Sequence, residues 1–206
     1  VINLSLLGLF IPTFLFVSIT PGMCMTLALT VGISQGLRRS LWMMAGELLG
    51  VATVATLAVL GVSAILLQMP GLLTAFKLVG GCYLVYLGAQ MWQSKGRLAI
   101  PEPGHASVLA RRELFSQGLI TAVSNPKGWA FHMALLPPFI DPQLPFWPQL
   151  LVLLAILLLL EFGSLLLYAS GGKALRLLFT KEGNARLMNR IAGGLMVGVG
   201  IWLWFS

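Results

Sequence analysis

Six apolar runs make up most of this chain, at about residues 4–33, 41–67, 72–93, 114–139, 147–171 and 186–206. A helix needs about 20 apolar residues to cross the hydrocarbon of a bilayer, and every run reaches that length. In lipid each backbone N–H and C=O must find its partner within the protein, so long apolar runs read as helices. The chain therefore reads as an all-α membrane protein with six transmembrane helices. Only 9% of its 206 residues are charged, where a soluble domain carries about 25%.

Two of the runs carry a helix breaker near their centres. In the first it is Thr20-Pro21-Gly22; in the fourth it is Ser124-Asn125-Pro126-Lys127-Gly128. Each reads as a cap followed by proline at the first position of a new helix, Thr20 before Pro21 and Asn125 before Pro126. Helices 1 and 4 are then broken near the midplane, and the new half-helices present unpaired N–H groups there. Such a start favours anions. Proline is common in membrane helices, so Pro21 alone reads equally well as a kink. Lys127 tips the fourth run towards a site, because an ammonium at that depth requires a partner. The candidate substrate-binding residues are Thr20, Pro21, Gly22, Met23, Cys24, Asn125, Pro126 and Lys127. A bound carboxylate would lie against Gly22 to Met25 and Pro126 to Gly128.

The net charge of +7 follows topology rather than nucleic acid. Arg38 and Arg39 separate runs one and two, and Lys95, Arg97, Arg111 and Arg112 separate three and four. Lys173, Arg176, Lys181, Arg186 and Arg190 cluster between five and six, while Met69 to Gly71 and Ile140 to Phe146 carry no lysine or arginine. Alternate loops are basic, which places them in the cytoplasm and both termini outside. The first run lacks a basic lead and a small-residue cleavage pattern, so it reads as a span and not a signal peptide. Residues 94–113, with Pro101-Glu102-Pro103-Gly104, read as a cytoplasmic linker between two repeats, 1–93 and 114–206. Three crossings precede the linker, so the second repeat enters inverted. Each repeat opens on its broken helix, the pattern of transporters that bind substrate at the repeat interface.

Four carboxylate or ammonium side chains lie within the runs: Glu47, Lys77, Lys127 and Glu161. Lys77 is close enough to an edge to snorkel. Glu47, between Gly46 and Gly50, can face a neighbouring backbone or Lys127, or pair with Arg38 or Arg39. Glu161 is either a proton carrier or a structural glutamate. His132 either titrates in the transport cycle or makes an interhelical hydrogen bond, the second being the commoner role. Glu161, Glu47 and His132 are the proton-coupling candidates. Tyr83, Tyr86 and Gly88 read as packing, and Trp42, Trp92, Trp147, Trp202 and Trp204 as an interfacial belt.

Thr20-Pro21-Gly22 with glycines 32, 36, 46 and 50, then Tyr83-Leu84-Val85-Tyr86-Leu87-Gly88, then Asn125-Pro126-Lys127 ahead of Pro137-Pro138-Phe139-Ile140, resemble the lysine exporter and homoserine/threonine exporter (LysE/RhtB) family. The resemblance spans nearly the whole chain. It implies a bacterial inner-membrane exporter of amino acids, driven by the proton-motive force and assembled as a homodimer, with no cofactor. The family's first motif usually reads Pro-Gly-Pro, often followed by asparagine; here Met23 and Cys24 stand in those places, a change that bears on substrate more than fold.

Other classes fit less well. A thiol-disulfide carrier needs a cysteine on each broken helix, but Cys82 is on the third run and the fourth has none. A metal exporter needs clustered ligands, and His105 and His132 form no cluster. No nucleophile–base pair suggests an enzyme. An exporter or passive channel for another small metabolite is the alternative that stays open.

Overall fold

The computed structural model describes residues 4–68, 72–93, 108–180 and 182–205. The core of the linker, residues 94–107, the connection at 69–71, and Lys181 lie outside the described residues, as do the side chains of Lys77, Lys173, Arg176 and Trp202. Among the described residues there is no strand. The helices are α1 (Leu4–Ile19), α2 (Met23–Gln35), α3 (Leu37–Gln68), α4 (Leu72–Gln93), α5 (Arg111–Val123), α6 (Pro126–Leu135), α7 (Phe146–Thr180) and α8 (Glu182–Phe205), with a 3-10 turn at Pro137–Phe139.

By length and composition α3, over Leu37–Gly61, and α7, over Phe146–Gly171, can each cross a membrane. The pair Ser5–Ile19 and Met23–Gln35, bent by 56°, makes a third if taken as one span. Helices α5 and α6, of 13 and 10 residues, are each too short alone. Several helices outrun their apolar stretches. Helix α7 continues to Thr180 and α8 starts at Glu182, so the basic segment expected as a loop is largely helical. Hydropathy marks where lipid stops, whereas the backbone ladder can run on through charged residues into water.

Close approach at small residues sets the pairing. Helix α3 lies on α5, where a Cβ on Gly46 would strike the Phe115 carbonyl and one on Gly118 the Met43 carbonyl. Helix α2 meets α7 where Gly32 faces the Ala169 backbone. Helices α4 and α8 run antiparallel, Gly81 against Gly200 and Gly88 against Gly193, and Trp204 Nε1 donates to the Leu78 carbonyl at 3.3 Å. Small residues let helices approach closely enough for dispersion to hold them where lipid removes the hydrophobic drive. Gly88 packs as expected. Tyr83 and Tyr86 do not join the core; they stay exposed, with ring centroids 6.2 Å apart.

Two apolar clusters flank the breaks. One gathers Phe10, Phe14, Phe131, Phe139 and Leu157; the other gathers Met25, Met43, Met44, Leu165 and Tyr168. The segment before α5 is tied to the α2–α3 turn, where Gly36 has φ 79°. The Arg39 guanidinium donates to the Leu109 carbonyl, and the Leu109 N–H donates to Gln35 Oε1 at 3.3 Å.

Candidate functional site

The two breaks are built differently. Asn125 is the N-cap of α6 and Pro126 its first residue, as the cap–proline pattern predicts; Asn125 Oδ1 accepts from the Lys127 N–H at 3.1 Å. At the other break the expected cap is wrong. Helix α2 begins two residues after Pro21, its N-cap is Gly22, and no side chain caps it. Thr20 instead donates back to the Phe16 carbonyl at 2.5 Å, closing α1 rather than opening α2. The contrast decides which N–H groups stay available. At α6 proline has none and that of Lys127 is taken, which leaves Gly128; at α2 those of Met23, Cys24 and Met25 have no side-chain cap. The available donors therefore gather at α2.

The carbonyls released at the breaks are also met. Tyr168 of α7 donates to the Ile19 carbonyl at 2.9 Å, and Trp129 Nε1 of α6 donates to the Val123 carbonyl at 2.8 Å. Neither residue stood out in the sequence. The signal was present in each case as a ring with one donor inside an apolar run, and such a donor seeks an acceptor when buried.

The breaks meet. Asn125 Nδ2 donates to Cys24 Sγ at 3.6 Å, joining residues 101 positions apart. Lys127 reaches the other break, where a Cβ on Gly22 would stand 3.7 Å from its Nζ, and that Nζ lies 5.7 Å from the Phe131 ring centre. Glu161 arrives from α7, its carboxyl beside the Ser18 hydroxyl and acting on Lys127 across the space between. Together these groups line a cavity of about 70 Å³.

Of the residues singled out in the sequence, Thr20, Gly22, Met23, Cys24, Asn125, Lys127, His132 and Glu161 line this cavity. Pro21 and Pro126 shape the breaks without lining it. Glu47 also lies outside the lining. It is fully buried, the Cys24 thiol faces it, and neither carboxylate oxygen accepts a bond of ordinary geometry. Of the two alternatives for Glu47, pairing with Arg38 or Arg39 does not form: neither of its oxygens has a partner in hydrogen-bond geometry, and the Arg39 guanidinium donates to the Leu109 carbonyl. Among the described residues His132 makes no interhelical hydrogen bond either. Its ring stacks on Phe14 at 6.4 Å, the Gly128 carbonyl of its own helix lies alongside, and Nδ1 has no partner in hydrogen-bond geometry.

A second, larger space of about 210 Å³ adjoins the first. Val17, Thr20, Lys127 and Phe131 line both, so the two chambers share a wall.

Residues 15–206 match the sequence profile of the LysE type translocators. This chain belongs to that family. As a LysE type translocator it is a membrane transport protein for small molecules and not an enzyme. It is 32% identical over 190 residues to an uncharacterized membrane protein of Vibrio cholerae, covering 90% of each chain. It is 27% identical over 186 residues to a homoserine/homoserine lactone efflux protein of Salmonella typhimurium, covering 90% of this chain and 89% of the relative. A leucine efflux protein of Enterobacter is 29% identical over 186 residues, with 89% and 87% covered. No solved structure matches this translocator.

Proposed function

We propose that this translocator exports amino acids across the bacterial inner membrane by proton antiport. The observation that carries the reading is the convergence of an ammonium, a carboxyl and an uncapped helix start on one small cavity where two broken helices meet. An α-amino acid presents the complementary pair. Its carboxylate rests against Lys127 and the α2 start, and its ammonium faces Glu161. The efflux names of its relatives support the same reading.

The proposed architecture is six transmembrane helices in two inverted repeats, 1–93 and 114–206, joined by a cytoplasmic linker at 94–113, with both termini outside. The helix pairings support it. If α1–α2, α3 and α4 form one repeat and α5–α6, α7 and α8 the other, α3 on α5 mirrors α7 on α1, α3 on α6 mirrors α7 on α2, and α4 pairs with its own counterpart α8. Alternating access then moves one repeat against the other around the breaks. Because a homodimer is part of the proposal, the exposed Tyr83 and Tyr86 on α4 are available to a second copy.

Uphill export requires a group that gains and loses a proton during the cycle, and Glu161 is placed for it. The test is efflux from proteoliposomes with and without an imposed pH gradient. Wild type should accumulate substrate against its gradient. Glu161→Gln should exchange substrate across the membrane and fail to accumulate it. Uphill transport by Glu161→Gln assigns the proton to Glu47 or His132, and a wild type that never moves substrate uphill makes the protein a channel.

A further inference from the structure

The larger chamber does not resemble the smaller one. Apart from Lys127 at the shared wall, its polar side chains are Thr13 and Thr20, and both hydroxyl protons are spent on their own helix, at the Leu9 and Phe16 carbonyls. Among the described residues no carboxylate lines it; the rest of the wall is apolar, with Phe16, Leu84, Leu135 and Met196 prominent. At about 210 Å³ it exceeds the roughly 150 Å³ apolar cavity that suffices to hold benzene.

We propose that this chamber receives the substrate's side chain and makes the protein selective for amino acids with bulky apolar side chains. The inference rests on the amino-acid reading of the smaller chamber. Lys127 belongs to both chambers, so a carboxylate held on it directs the remainder of the molecule towards one or the other. A cationic side chain would enter beside the Lys127 ammonium and find no counter-charge. A hydroxyl would meet only the lone pairs of two committed threonines, and a polar group buried without adequate partners is disfavoured. An aliphatic or aromatic side chain gains about fourfold in affinity for each methylene it buries. Leucine should therefore be favoured over alanine on the order of 50-fold, and over homoserine at least about tenfold.

The test uses the full chain in proteoliposomes loaded with leucine, methionine, phenylalanine, alanine, homoserine or lysine. Leucine, methionine and phenylalanine should leave fastest and lysine slowest. Met196→Phe narrows the chamber and should lower the leucine-to-alanine ratio about tenfold. Phe16→Ala widens it at a partly exposed position and should raise the phenylalanine-to-leucine ratio. Monodisperse elution in detergent shows that each variant folds. Homoserine or lysine carried as well as leucine would overturn the proposal. So would ratios that neither variant moves, which would make the chamber a lipid-filled crevice. If no amino acid is carried, the reading of the smaller chamber fails first, and the side-chain assignment falls with it.

Discussion

Replacing Asn125 with alanine removes the acceptor of the Lys127 N–H and the donor to Cys24 in one step. A side-chain cap is worth about 1 kcal/mol, and a buried N–H left without a partner costs about 1–3 kcal/mol. Both figures describe the same lost bond, so they bracket the effect and do not add. The Cys24 contact contributes less, because a thiol sulfur is a weak acceptor. Opening of the first turn of α6 should then rise by about 5- to 150-fold. Asn125→Ser keeps an oxygen within reach of the same N–H and should restore most of the loss. The assay is hydrogen–deuterium exchange over residues 124–131 in detergent, paired with efflux from proteoliposomes. Faster exchange in Asn125→Ala, rescue in Asn125→Ser, and efflux reduced about tenfold in the alanine variant are expected. Wild-type exchange in Asn125→Ala refutes the cap argument. Equal losses in both variants transfer the role to the contact with Cys24.

Lys127→Met keeps length and removes charge, so the protein should insert and elute normally yet lose most efflux; full efflux would reduce the lysine to a structural anchor. Orientation is read with single cysteines in a background where Cys82, which is exposed, becomes serine. Cysteines at Ser94 or Gly183 should react with impermeant reagents only after the cytoplasmic side is opened, and one at Gln143 should react from outside; the reverse pattern refutes the proposed topology.

Much of the local structure could be read from the chain alone. Proline without an N–H and asparagine beside it set the start of α6 within four residues, and no partner elsewhere is needed. Gly46 and Gly50 announced a close helix contact around Glu47. The Thr20 reading failed for an equally local reason: its hydroxyl can accept from the N–H groups of the helix ahead or donate to a carbonyl of the preceding turn, and it takes the second, at Phe16 of α1. Pairing belongs to the tertiary structure. That Gly46 meets Phe115, that Arg39 turns away from Glu47 to Leu109, and that Tyr168 seals the Ile19 carbonyl 149 residues away depend on which helices touch. The division of the central space into a polar and an apolar chamber depends on the same choice, since its walls come from helices far apart in sequence. Hydropathy cannot encode it. A lipid tail is as apolar as leucine, so an apolar run determines that a helix forms in the membrane, while shape at small residues and the few buried hydrogen bonds determine its neighbour.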